Sequence, residues 1–393
     1  MRTLSASRRW LPICALVATA CSDHGAPDHA ADAQGQDQGD AAPSPDAFDP
    51  LAPPPSRFGI GLVAVGTPLE WDRASELVGP GGWIKLIFAG ITPAMHEAPP
   101  EWQQAITEVY ARDLIPVIRF GPDFGDRNVR KQSNDGAHHH YEALASAYAA
   151  VVASLPRRPS WPLVVELHNE PDLCYEWACD PGDVPARAGV QAGWLGYEDA
   201  AAEYAAFVRD TSAALHALGD HRVIVLNGGL APGGARACEC GGEGFVGGIT
   251  SLDFLRAMQT AVPEIWNSLD GFASHAYPAS GEGFGFFPSY DQAKTGLYYD
   301  RRELAVIGRD LPVYVTETGW TTDQGARGSR EDIAAWTRDA YTNDWLVMPE
   351  VRAVMPFILA SPDWNSFAWI SDSGGHYPVF DAVRDLRLAL PAH

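Results

Sequence analysis

A chain of 393 residues has room for one large domain or two ordinary ones, and 46% apolar content with 13 Trp, 13 Tyr and 15 Phe supplies a sizeable core. Its 50 acidic residues against 28 basic ones give a net charge of −22. That balance argues against nucleic acid or an anionic membrane surface as a partner.

The first twenty residues read as an export signal. Arg2, Arg8 and Arg9 form a basic start, Trp10 to Ala18 an apolar run too short to span a bilayer, and Ala18-Thr19-Ala20 a small-residue cleavage site. Cys21 follows at once, so the segment resembles the lipobox of bacterial lipoproteins, although Ala18 stands where that pattern usually has Leu. The resemblance implies acylation of Cys21 and, with Ser22 next to it, an outer-membrane or cell-surface location; ordinary secretion is the alternative. Residues 21–56 are rich in Asp, Ala, Pro, Gln and Gly, with almost nothing to bury, and are expected to form a disordered acidic tether. Any contact with a membrane is expected to run through this anchor alone.

From Arg57 onward strand and helix signals alternate. Strands are expected at Phe58–Val65, Trp83–Ala89, Leu114–Phe120, the stretch Val164–Asp172 with pairing ended by Pro171, Val223–Asn227, Phe272–Tyr277, Pro312–Thr318 and Ala353–Ala360. The intervening helices are Trp71–Val78, Glu101–Arg112, His139–Leu155, Tyr197–Leu218, Leu252–Val262, Leu297–Arg309, Arg330–Thr342 and Ala382–Ala389. Eight such units fit the α/β class as a single (β/α)8 TIM barrel over residues 57–393. A doubly wound open sheet is the other choice, but no glycine fingerprint follows the first strand.

Two places carry chemistry. Val164-Val165-Glu166-Leu167-His168-Asn169-Glu170-Pro171-Asp172 is a buried strand running into an acidic edge, where Pro171 ends pairing. Val313-Tyr314-Val315-Thr316-Glu317-Thr318-Gly319-Trp320 repeats the arrangement. A carboxylate at the mouth of a buried strand is costly unless it is paired or used. In a barrel of this class strand ends face the active site, so Glu170 and Glu317 are the leading candidates for an acid/base pair.

Asn169-Glu170-Pro171, His275-Ala276-Tyr277-Pro278 and Thr316-Glu317-Thr318-Gly319-Trp320 together resemble clan A retaining glycoside hydrolases, particularly family 5 and its relatives. The resemblance follows the element order of the whole barrel. It implies that Glu170 is the general acid/base and Glu317 the nucleophile, with Asn169 reaching a sugar hydroxyl, Tyr277 donating to the nucleophile and His275 lining the site. It also implies a β-linked polysaccharide or oligosaccharide substrate, β-glucan first, and requires no metal or organic cofactor. A monomer is expected. Retaining enzymes hold their carboxyl groups about 5–5.5 Å apart and inverting ones about 6.5–9.5 Å; the short class is expected here. A non-catalytic glycan-binding barrel and a cell-wall transglycosylase are the rival functions.

One position departs from family 5. That family usually has an Arg at the end of strand two, whereas this strand reads Trp83-Ile84-Lys85-Leu86-Ile87 and Arg119 ends strand three. Arg119 is therefore expected to supply the cation near the carboxylates. Lys85 and Glu166 are odd within apolar strands, and either they pair below the catalytic floor or one of them points outward. For sugar stacking, Trp364, with Phe367 and Trp369 beside it, and Trp320 are candidates, as are Phe284, Phe286, Phe287 and Tyr290. Trp177 is a candidate for the cleft wall.

Cys174, Cys179, Cys238 and Cys240 remain once Cys14 and Cys21 are set aside, and an exported context favours disulfides over zinc. Either the two clusters are bridged to each other or Cys174 pairs with Cys179. His138-His139-His140 is expected to be a solvated helix start, because consecutive helical residues point in different directions. Gly241-Gly242-Glu243-Gly244 lacks the lysine and spacing of a phosphate loop.

Overall fold

The structure, a computed structural model, describes residues 54–390 other than 124–131, 133–138, 178–196, 232–250, 279–296 and 323–327. The expected signal segment, Cys21, nearly all of the tether, Cys179, Cys238, Cys240, His138, residues 241–244 and the aromatic run 284–290 therefore lie outside the described residues, as does the side chain of Cys174. Among the described residues no helix is long and apolar enough to cross a membrane.

The elements follow as β1 (Gly59–Gly61), α1 (Pro68–Val78), β2 (Trp83–Ala89), α2 (Pro100–Ala111), β3 (Ile115–Gly121), α3 (Glu142–Ser154) and β4 (Leu163–Leu167). Next come α4 (Cys174–Trp177), α5 (Tyr197–His216), β5 (Val223–Asn227), α6 (Ser251–Ala261), β6 (Phe272–His275), α7 (Leu297–Ile307), β7 (Val313–Glu317), α8 (Arg330–Ala340), β8 (Val351–Val354) and α9 (Pro378–Ala389). A 3-10 turn at Ile265–Ser268 and a π-turn at Tyr341–Trp345 were not foreseen.

The strand pairs are all parallel, β1 to β5 forming one run and β6 to β8 another. Single parallel bridges, Leu226 with Gly271 and Phe58 with Val354, join β5 to the approach of β6 and β8 to the approach of β1. Alternation divides the strand residues between two cores. Trp83, Ile115, Val117, Val164, Ile224, Leu226, Ala273, Tyr314, Ala353 and Met355 pack together on one face. The other face, with Ile84, Leu86, Phe88, Ile118, Phe120, Val165 and Leu167, meets the helices. Buried on both faces, the strands read as near-continuous apolar runs.

Local signals explain several helix starts. Thr67 accepts from the Glu70 N–H while Glu70 accepts from the Thr67 N–H, and Pro68 opens α1. Ser329 and Asp332 do the same for α8. Pro378 starts α9 earlier than the expected Ala382, since a proline at the first helical position loses no hydrogen bond.

Strand ends differ from expectation in several places. β1 stops at Gly61, and Val65 is exposed. β6 stops at His275, two residues short of Tyr277, where the register with β7 shifts. β8 begins at Val351 and ends at Val354, before Pro356, which has no N–H for a ladder. The folded region also starts slightly before Arg57: the Ser56 carbonyl accepts from the Trp83 indole at 2.7 Å.

Gly59 sits where β1, β2 and β8 converge. A Cβ there would lie 2.6 Å from Met355 Cγ and 2.9 Å from the Val354 carbonyl oxygen. Gly59→Ala is expected to lower stability by about 1–3 kcal/mol through overpacking, measured by urea unfolding; an unchanged midpoint would contradict the close approach.

Candidate active site

The site gathers where β4, β6 and β7 end. After Leu167 the chain bends sharply, with His168 at φ 83° and Glu170 at φ 35°, both in the left-handed region that non-glycine residues seldom occupy. Such positions persist only where their surroundings over-determine them. Here the His168 N–H donates to Phe120 O at 3.0 Å, the Glu170 N–H to Gly229 O at 3.0 Å, and the Leu173 N–H back to Glu170 O at 2.8 Å. Glu170 is thereby turned off the strand, its side chain 16% exposed.

Glu317 arrives by another route. Val315 pairs with Ser274 and Glu317 with His275, so β7 carries an extra residue at this point. That bulge lets Thr316 and Glu317, adjacent in sequence, both reach the same cluster. Thr318 Oγ1 donates to Ala276 O at 2.6 Å and the Phe357 N–H donates to Thr318 O at 2.9 Å, tying the ends of β6, β7 and β8 together.

Several ionisable groups meet in the space between. Lys85, fully enclosed on β2, puts its Nζ 2.9 Å from Glu317 Oε1 and 3.0 Å from Glu166 Oε2. The expected Lys85–Glu166 pair is therefore present, and Lys85 pairs with Glu317 as well. That second contact was not foreseen, and the four-carbon stem of Lys85 lets it reach the end of β7. Arg119 is buried on β3 and its charge still bears on Glu317, but it has no hydrogen bond or ion pair among the described residues. Tyr277 Oη donates to Glu317 Oε2 at 3.0 Å. His275 lies between the acids, with Nδ1 3.0 Å from Glu170 Oε1 and Nε2 3.1 Å from Glu166 Oε1.

Burial raises the Glu317 carboxyl, but Lys85, His275 and Arg119 outweigh it and bring it down to about 2. Burial likewise opposes charge on His275, yet Glu317 and the hydrogen bonds to Glu166 and Glu170 prevail and lift the imidazole to about 9. Single oxygen or nitrogen atoms of Glu170, His275 and Glu317 all lie within 4.8 Å of one another. That spacing could hold a cation, but Lys85, Tyr277 and His275 already use those lone pairs. The donor set suits proton sharing and charge stabilisation better than metal binding.

The loop after β5 completes the floor. The Gly229 N–H donates to Glu166 Oε1 at 3.1 Å. A Cβ on Gly229 would come within 2.1 Å of the His275 ring, so only glycine lets the imidazole sit here. Asp172 was part of the acidic edge but given no role. It is buried, with Oδ1 accepting from the Ala231 N–H at 3.0 Å and Oδ2 without a hydrogen-bond partner. Burial pushes its carboxyl up to about 8, and Glu170 pushes the same way.

The aromatic candidates divide. Trp364 is 52% exposed, with its ring 5.9 Å from Phe357 and 6.5 Å from Phe367; Phe367 in turn lies 6.2 Å from Tyr277. A row of rings thus leads to Glu317. Phe357 was missed because the expected strand eight ran through it. Trp320 and Trp369 are buried instead, Trp320 against Trp336 at 6.0 Å, so neither offers a face to a sugar. Trp177 is wholly enclosed by Tyr141, His168, Tyr204 and Phe207 and forms no cleft wall. Asn169 stands beside Glu170 with its Oδ1 unpartnered. His139 and His140 are exposed before α3, near Glu203 and Glu142 respectively.

Solved structures of similar fold include glycoside hydrolases. No family model and no curated protein sequence matches the chain. Among solved structures it is similar to the family 39 enzyme from Xanthomonas axonopodis pv. citri, with a TM-score of 0.55 and 15% identity over 86% of this chain and 67% of that one. A family 39 glycoside hydrolase from the gut symbiont Bacteroides cellulosilyticus WH2 gives 0.52 and 16% over 86% and 64%, so the present chain spans less than two thirds of it. A family 5 xyloglucanase from Paenibacillus pabuli gives 0.50 and 13% over 84% and 98%. All are clan A glycoside hydrolases, the clan whose motifs the sequence resembles; at these identities the likeness is one of fold.

The raised His275 value has a sign. An unfolded imidazole titrates near 6.5, so its contribution to stability is full below that value and is lost as pH rises through about 9. Urea unfolding from pH 6 to 10 is expected to show that loss, and His275→Asn to flatten it; an identical slope in the variant would contradict the assignment.

Proposed function

We propose that the chain is a closed (β/α)8 barrel acting as a retaining glycoside hydrolase on a β-linked glycan, with Glu170 as acid/base and Glu317 as nucleophile. One observation carries the reading: an oxygen of Glu170 and an oxygen of Glu317 lie within 4.8 Å. So close an approach of single oxygens favours the short class of about 5–5.5 Å between carboxyl groups over the long one of about 6.5–9.5 Å. The bridges from β5 to β6 and from β8 to β1 support ring closure.

In the first step Glu317 attacks the anomeric carbon, the bond to the leaving oxygen breaks, and Glu170 gives that oxygen its proton. In the second, Glu170 takes a proton from water, which attacks the same carbon and frees Glu317. Lys85 and the Tyr277 hydroxyl hold Glu317 ionised and aimed. His275, bonded to both Glu170 and Glu166, fixes the acid/base side. Asn169, with its Oδ1 unpartnered, would bond the sugar 2-hydroxyl, and Tyr277, Phe367, Phe357 and Trp364 would supply faces for sugar C–H surfaces. β-Glucan is the favoured substrate. Export as a lipoprotein anchored through Cys21, supported by the basic start, apolar run and small-residue site before it, would put the enzyme at the outer membrane or cell surface, where such chains are met.

Glu317→Ala is expected to abolish turnover of an aryl β-glycoside. Glu170→Ala should cut kcat about 10²- to 10⁴-fold on poor leaving groups, far less on dinitrophenyl glycosides, and azide should restore turnover by forming a glycosyl azide. Steady-state kinetics on a panel of aryl β-glycosides measure both, and wild-type rates in either variant would remove the reading.

A further inference from the structure

Glu166 is the most enclosed acid of the cluster, and the two-step reaction gives it nothing to do. Its Oε1 accepts from the Thr316 hydroxyl at 2.8 Å, from the Gly229 N–H at 3.1 Å and from His275 Nε2 at 3.1 Å, and its Oε2 lies 3.0 Å from Lys85 Nζ. Burial works against its charge, but Lys85, His275 and Gly229 hold it as an anion well below the usual carboxylate range. Lys85 is 2% exposed and thus has two carboxylate partners, Glu166 and Glu317, where one would neutralise it.

The surplus has a use if the retaining reading holds, on which this inference rests. When Glu317 bonds to the anomeric carbon and the leaving oxygen departs with the Glu170 proton, Glu317 turns from an anion into a neutral ester. With Glu317 alone as partner, Lys85 would become a buried ammonium without a counter-ion, beside Arg119 and His275, a strongly unfavourable arrangement. We propose that Glu166 is a positioning residue that keeps Lys85 compensated while Glu317 is esterified, and so makes the covalent intermediate accessible. Thr316 and Gly229 serve it by fixing its second oxygen away from Lys85.

The test separates the two chemical steps with a dinitrophenyl 2-deoxy-2-fluoro-β-glycoside of whichever sugar the wild type turns over. Its inactivation rate reports formation of the glycosyl-enzyme and its reactivation rate reports breakdown. Glu166→Gln keeps an oxygen for the three donors but removes the charge. It is expected to slow inactivation about 100-fold while reactivation changes less than about tenfold. Thr316→Val keeps the charge and loses one donor, and should slow inactivation roughly fivefold with reactivation unchanged. Should Glu166→Gln fail to fold, the Thr316→Val ratio of the two rates decides alone. Equal changes in both rates, or none, would overturn the proposal. A wild type that turns over no aryl glycoside would instead sink the retaining reading.

Discussion

The site depends on one buried ammonium. Lys85 Nζ sits about midway between Glu166 and Glu317, 3.0 and 2.9 Å away, in a place from which water is nearly excluded. Taking three charges out of water is expensive, and the cost is offset only if every partner is fixed and every remaining lone pair is used. The rest of the cluster goes most of the way to meeting that condition, Glu166 Oε2 having Lys85 beside it but no hydrogen bond of its own. Thr316, Gly229 and His275 occupy Glu166, Tyr277 occupies Glu317, and the loop after β5 approaches closely because Gly229 has no side chain. Removing Lys85 would leave the two carboxylates to the His275 imidazole and the more distant Arg119 charge.

This arrangement also divides labour between acids of the same kind. Glu166 is sealed beneath the floor, Glu317 lies at its edge and Glu170 is turned outward by the bend after β4. Chemistry that needs one group to give and take a proton and another to stay an anion needs such unlike surroundings. His275 couples the two sides: both of its nitrogens face carboxylates, and any change in the charge of Glu317 is felt by the imidazole.

Much of this was legible in the sequence, for identifiable reasons. Apolar β runs that end in Glu170 and Glu317 stand out because a charge at the end of a buried strand needs a use, and Lys85 and Glu166 stand out because they interrupt such runs. Element order was legible because parallel strands alternating with helices leave a clear change of period. What was not legible depends on contacts between distant segments. That Lys85 reaches Glu317 as well as Glu166 depends on the bulge in β7, which no local pattern announces. Arg119, near the end of its strand, does bring its charge to bear on Glu317, but its position did not show that Lys85 makes the direct contact. Trp320 looked open because it follows a catalytic-type motif, yet Trp336 of α8 covers it. Phe357 was hidden inside a strand drawn too long, and Asp172 had no signal beyond belonging to an acidic edge.

The account stands on Glu170 and Glu317 acting from opposite faces of one sugar ring through a covalent intermediate. Proton NMR of the first product formed from a β-glycoside, recorded before mutarotation, tests this most directly. The account predicts the β-anomer. Initial release of the α-anomer would contradict it.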